Sequence, residues 1–185
     1  NASSGALTAT SGNLILSGTI SGSGGATGTF TVNTNAGTIT FANNSIGSGT
    51  AIGALTVSGA GATIGGTLNV NGNTTTFNSP VTLAADTTIT DVGGIVFGST
   101  INGAYSLTLN SDGSALGADP AITLAGNIGS TTPLTALVLN ASDVTATIYN
   151  NINVTAGINI NVGNFTLTTG DWIQSGTLGA MNVTG

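Results

Sequence analysis

The sequence contains no lysine, arginine, histidine or cysteine, and its only acidic side chains are six aspartates. Without cationic side chains nothing neutralises phosphate groups, so we expect neither nucleic acids nor anionic membrane surfaces as partners. Without His, Cys or Lys, no Ser-His-Asp or Cys-His nucleophile and no usual zinc or haem site can be assembled. These absences predict a protein that is not an enzyme.

The sequence also lacks any apolar run that approaches the roughly 18 residues of a membrane span, so membrane insertion is not expected. The absence of Cys fits a secreted chain that crosses a membrane unfolded and needs no disulfides. The absence of Lys and Arg leaves trypsin-like proteases no cleavage site. Together these features predict an extracellular or cell-surface location.

The residues that are present favour strands and turns. Hydrophobic residues make up 39% of the chain, enough for a core, and many of them are Val, Ile and Leu. The 30 glycines and the abundant Thr, Ser and Asn favour short strands joined by tight turns. The composition therefore predicts a folded all-β protein.

A repeated pattern indicates how these strands are arranged. In each unit, two apolar residues are separated by one other residue. A third apolar residue follows four or five positions after the second, and a glycine follows within two positions of it. The units are Leu14–Gly22, Ile39–Gly47, Ile95–Gly103 and Ile122–Gly129. Apolar triplets recur between these units, at Phe30–Val32, Leu55–Val57, Leu68–Val70, Val81–Leu83, Leu107–Leu109 and Leu137–Leu139. Equivalent positions, taken as Leu14, Ile39, Leu68, Ile95 and Ile122, lie 25 to 29 residues apart.

Helix-free units of roughly 20–30 residues predict a parallel β-helix, or β-solenoid, in which each coil buries its apolar face against the next. An antiparallel β-sandwich of jelly-roll type is the alternative, because it also has short strands at regular intervals. No linker divides the chain, so residues 1–185 are interpreted as a single solenoid domain or a fragment of a longer one. Residues 1–12 are expected to be a frayed start, an exchanged strand or the continuation of a preceding coil.

The stretch Tyr149–Leu167 alternates between apolar and polar residues. Its predicted inward residues are Ile152, Val154, Ala156, Ile158, Ile160 and Val162, with mostly Asn and Thr between them. We expect the segment to bend near Asn150 and Ala156–Gly157, and to change its inside-outside parity at Gly163–Asn164. The Asn residues are interpreted as the solvent side, or a stacked amide ladder, of one coil.

The candidate sites are few. Asn110, Asp112, Ser114 and Asp119 form a predicted calcium site, since their oxygens lie in a glycine-containing turn. The competing interpretation is a turn in which these side chains bond their own backbone. Asp86 and Asp91 resemble a catalytic carboxylate pair, but five positions apart on a strand they should point to opposite faces, and solvated turn residues are expected.

Three segments carry a resemblance to a known group of proteins: "ITFANNSIGSGTAIGALTVSGAG", "VTLAADTTITDVGGIVFGSTINGAYSLTLNSDG" and "ITLAGNIGSTTPLTALVLNASD". They resemble the repeats of bacterial surface adhesins of the filamentous-haemagglutinin and autotransporter-passenger type. The resemblance covers residues 13–170 and rests on repeat texture. It implies a right-handed parallel β-helix that forms a secreted rod, and it transfers no functional residues.

Two structural functions are therefore expected. The first is a segment of the shaft of a cell-surface fibre or adhesin, whose partners are neighbouring coils of a longer chain and a host or cell-surface receptor. The second is a self-assembling extracellular filament or surface-layer subunit, which polymerises with itself, by strand addition among other routes.

Overall fold

The structure, a computed structural model, describes residues 5–22, 28–42, 46–47, 50–70, 74–111, 121–168, 172–174 and 181–184. These residues form 16 β-strands, all described strand pairs are parallel, and the strands wind into a right-handed β-helix of about seven turns. The predicted β-solenoid is confirmed, and the antiparallel sandwich is wrong. No helix long and apolar enough to span a membrane occurs in the described part of the chain.

The coils have three faces. The first face contains β1 (Gly5–Ala9), β3 (Thr29–Thr34), β5 (Ala54–Ser58), β7 (Thr75–Phe77), β9 (Ile95–Phe97) and β12 (Ala121–Leu124). The second contains β2 (Leu14–Ser17), β4 (Thr38–Ala42), β10 (Ile101–Asn102) and β15 (Trp172–Gln174), and the third contains β11 (Leu107–Ser111) and β16 (Met181–Thr184). Four long strands bend from one face to the next: β6 (Gly61–Val70), β8 (Val81–Asp91), β13 (Leu134–Ile148) and β14 (Ile152–Leu167).

The register on the first face defines the coils. One inward column of aligned positions runs through Gly5, Phe30, Leu55, Thr75, Ile95, Ile122, Ala146 and Phe165. These positions are 19 to 27 residues apart, close to the predicted coil length. The column stays aligned although the coils differ in length, because the extra residues fall between the strands. Residues 5–9 pair within this stack as β1, next to β3.

The interior of the coils is one continuous apolar cluster of Val, Ile, Leu and Phe side chains. These residues alternate with outward polar residues, the period-2 pattern of a strand with one buried face. In the middle of the stack, the rings of Phe77 and Phe97 lie parallel in adjacent coils, with centroids 4.9 Å apart and planes 9° apart. Neither ring is exposed to solvent.

The glycine that ends the repeated pattern has a conformational role. Gly47 and Gly129 both have φ of 70°, a left-handed backbone that glycine adopts without steric cost. A Cβ at either position would also collide with the backbone carbonyl of Asn69 or Asn153 in the next coil. Each glycine therefore allows a tight corner against its neighbouring coil.

The predicted column of equivalent positions is only partly correct. Leu14 is the register partner of Ile39, and Ile95 that of Ile122. Leu68, however, lies on the third face, where it is aligned with Ile46 and Ile89. The prediction placed residues of different faces in one column, because each coil contains several strands with a similar apolar-x-apolar sequence.

The predictions for Tyr149–Leu167 largely hold. Five of the six predicted inward residues are buried, whereas Ala156 is exposed. The register against β13 shifts between its partners Leu134 and Ala136, where the segment bends beside Gly157. A second shift precedes Asn164, and beyond it Phe165 packs against the core at an odd position. Ala156 turns outward because it lies within the first irregularity.

Candidate functional site

The predicted calcium site cannot be placed as a unit, because Asp112, Ser114 and Asp119 lie outside the described residues. Asn110 is the last residue but one of β11, and its side chain is held between two neighbouring coils. Its Nδ2 donates to Thr90 Oγ1 at 3.4 Å, and its Oδ1 accepts from Asn140 Nδ2 at 2.9 Å. In the described part of the chain no three acidic side chains lie close enough to hold a metal ion. The calcium site stays a prediction.

The side chain of Asn110 belongs to a polar column on the outer side of the third face. The column runs through Asn69, Thr90, Asn110, Asn140 and Asn161, which are register partners in successive coils. The bonds from Asn140 to Asn110 and from Asn110 to Thr90 make part of this column a ladder along the rod axis. These two hydrogen bonds lie outside Tyr149–Leu167, the stretch for which an amide ladder was predicted, and Asn161 is the residue of that stretch that continues the column.

A double-mutant cycle on Asn110→Ala and Asn140→Ala measures how strongly the ladder couples two coils. We expect a coupling free energy of roughly 0.2–1 kcal/mol in urea unfolding, the range for cross-strand side-chain pairs. The value is small because Asn140 is exposed and water replaces part of the lost hydrogen bond. Strictly additive single mutants would show that the ladder contributes nothing.

A second outer column covers the first face. Its members are Ala6, Thr31, Thr56, Thr76, Val96, Thr123, Thr147 and Thr166. Six of these eight positions are threonine, so this face presents small, neutral side chains that can form hydrogen bonds. The sequence did not reveal this column, because unequal coil lengths hide which threonines are aligned.

The two aspartates of β8 lie in different environments. Asp86 is exposed, and its Oδ1 accepts a hydrogen bond from Ser106 N of the next coil at 2.9 Å. Asp91, at the end of the same strand, has no exposed surface. The prediction that they point to opposite faces is confirmed, so they do not form a catalytic pair. The expectation that both are solvated is wrong for Asp91.

Asp91 is a buried carboxyl in an apolar interior. Its Oδ2 accepts from Thr75 Oγ1 at 2.6 Å, and its Oδ1 accepts from Gly93 N at 2.8 Å. Burial raises the pKa of Asp91 from its ordinary 3.8 to about 6, and the hydrogen bonds from Thr75 and Gly93 oppose the rise. The alternation of side chains along a strand indicates this burial in the sequence, because Asp91 lies two residues after the inward Ile89.

The first described coil exposes part of its apolar layer. On β1, Leu7 is 37% exposed, and on β2 the outward Ile15 is 67% exposed. Leu14, Leu16 and Ile20 of the same coil are only partly buried against the core. This coil therefore offers apolar surface and a strand edge to a further coil.

Comparison with family models, curated proteins and solved structures found no match to this chain. The functional argument consequently depends on the geometry of the coils and on the chemistry of their side chains.

Proposed function

We propose that this chain is a segment of the shaft of a secreted cell-surface fibre or adhesin, which extends from the cell and mediates adhesion or matrix formation. The observation that carries the proposal is the column of parallel strand pairs on the first face, which continues through every coil from Gly5 to Phe165. Each coil contacts mainly its neighbours, so coils can be added without changing the design. Every added coil lengthens such a rod by about 4.8 Å.

The chemistry of the outer surface supports this proposal. The two described outer columns consist mostly of threonine and asparagine, and the whole sequence has a net charge of only −6. A surface of this kind has few groups that attract ions or charged polymers. Its stacked strands also keep backbone amides in hydrogen bonds, which protects them from proteolysis. A receptor-binding region would then be held at the end of an inert and resistant support.

Immunogold electron microscopy tests this function on cells that produce the protein. Antibodies raised against the purified chain should label fibres or projections outside the cell, and external protease should not remove the label quickly. An antibody against a cytoplasmic protein serves as the control for intact cells. Label confined to the cell interior would contradict the shaft proposal.

A self-assembling filament is the second candidate, and the exposed apolar layer of the first coil favours it. Leu7 is aligned with the buried Val32 and lies where another coil would stack, and parallel strand edges readily accept a further strand. Near-absent charge leaves little repulsion between two such ends.

Sedimentation and negative-stain microscopy of the purified chain separate the two candidates. A shaft segment should remain a short monomeric rod at micromolar concentration. A filament subunit should form regular fibres whose diffraction shows the strand spacing of about 4.8 Å along the fibre axis, and Leu7→Asp should prevent their formation. Concentration-independent monomers would exclude the filament.

A further inference from the structure

Asp91 lies in the core without any cationic side chain to balance it. The whole sequence contains no Lys, Arg or His, so no partner of this kind exists within the chain. The two hydrogen bonds that its carboxylate accepts, from Thr75 Oγ1 and Gly93 N, come from neutral donors. Neutral donors offset only part of the cost of burying an ionised carboxylate, so burial shifts the protonation equilibrium of Asp91 toward the neutral acid.

Ser111 lies beside Asp91 in the next coil. The two residues are register partners on β11 and β8, and parallel partners are about 4.8 Å apart. Ser111 is 3% exposed, and its Oγ has no hydrogen-bond partner. A buried hydroxyl without a partner costs about 1–3 kcal/mol. A carboxylic acid needs an acceptor for its proton. Ser111 Oγ, which makes no hydrogen bond to Asp91 in this structure, is an unpartnered acceptor at the aligned position of the neighbouring strand.

We propose that Asp91 and Ser111 form a buried proton-binding site, in which Asp91 takes up a proton from solvent and donates a hydrogen bond to Ser111 Oγ. Thr75 and Gly93 keep their bonds to the carboxyl oxygens, since each oxygen has two lone pairs. Binding of one proton thereby removes an uncompensated charge and gives the hydroxyl a partner. The coil stack is then more stable in acid than at neutral pH.

No other described titratable group faces this site. Val70, the register partner of Asp91 in the preceding coil, is apolar, and Thr75 and Ser111 do not titrate in this range. Asp86, on the same strand, is exposed on the opposite side. The pKa of Asp91, raised to about 6 by burial, lies above its unfolded value of 3.8. The stabilisation is therefore complete below pH 3.8 and is lost as the pH rises through 6.

Urea unfolding between pH 4 and pH 7.5 measures the effect. The ratio of folded to unfolded wild-type protein should fall on the order of 100-fold across this range. Asp91→Asn keeps the shape but cannot ionise, so its stability should be nearly independent of pH. Asp86→Asn is the matched control on the same strand and should retain the wild-type dependence. A wild-type stability that does not decrease with pH would overturn the proposal.

Carboxyl ¹³C NMR of the wild-type protein tests the site without relying on the folding of any variant. One of the six aspartates should titrate near pH 6, and this signal should be missing from Asp91→Asn. Ser111→Ala distinguishes the direction of the hydrogen bond. If Ser111 accepts from the neutral acid, its removal lowers the pKa of Asp91. A higher pKa in Ser111→Ala would show that Ser111 donates to the carboxylate, and would contradict the proposal, as would six aspartates that all titrate near 4.

Discussion

Deleting residues 75–94 should leave a folded coil stack that is one turn shorter. On the first face, Leu55 pairs with Thr75 and Thr75 with Ile95, each 20 residues further along. Removal of these 20 residues therefore places Ile95 against Leu55. On the second face Ile101 takes the place of Val81, because both occupy the same column. After the deletion, the strands on every face can therefore pair again with their apolar residues still pointing inward.

The loss of one coil should lower the free energy of unfolding by about 1–3 kcal/mol, from roughly 0.05–0.15 kcal/mol per residue. The shortening can be measured directly, because the chain has no cysteine and takes unique spin labels. Labels at Thr31→Cys and Thr166→Cys are six strand spacings apart on the outer column of the first face. Their separation should fall from about 29 Å to about 24 Å.

Deletion of residues 75–84 is the matched control. It removes about half a coil, so the following strands meet the preceding coil on the wrong face. The stack should divide at this point, with two separate unfolding transitions and a broad distance distribution between the labels. Equal behaviour of the two deletions would show that the coil is not the structural unit. The whole-coil deletion also removes Asp91, and with it the proposed dependence of stability on pH.

The fold could be predicted because two of its features are local in sequence: apolar and polar residues alternate along each strand, and glycines occupy the tight corners between strands. All six apolar triplets, such as Leu107–Leu109, lie on strands, and the alternation from Ile152 onward marks the buried side of β14. Which strands pair was harder to predict. Pairing of the strands joins residues 19 to 30 positions apart, and the three faces of a coil have similar composition. Leu68 was therefore assigned to the wrong column.

The buried polar residues were the least predictable part. Asp91 points inward like Ile89, but an aspartate is usually solvated. Its burial depends on Thr75, at the start of the same coil, and on the turn at Gly93. The position of Ser111 beside it depends on a register between β8 and β11 that the sequence does not specify. The outer threonine column was hidden for the same reason.

The second large effect is expected for Phe97→Ala. Phe97 is fully buried, and its ring stacks on that of Phe77 in the preceding coil, with centroids 4.9 Å apart. Truncation of a buried Phe costs about 3–5 kcal/mol, from lost burial and the cavity left behind. The aromatic contact with Phe77 accounts for roughly 0.5–1.5 kcal/mol of this cost. The loss is a large part of the total stability of an ordinary domain, roughly 5–15 kcal/mol.

Urea unfolding of Phe97→Ala should be compared with that of Tyr105→Ala. Tyr105 belongs to the same coil but is 40% exposed, so its truncation should change the free energy of unfolding by only about 0.5 kcal/mol. Phe97→Leu should recover more than half of the loss, because it refills most of the volume. In a stack where each coil contacts mainly its neighbours, a defect at this interface weakens the link between the two halves. Native-state hydrogen exchange should accordingly show opening concentrated at β7 and β9. A loss in Phe97→Ala no greater than that in Tyr105→Ala would mean that backbone ladders, and not the apolar column, hold the coils together.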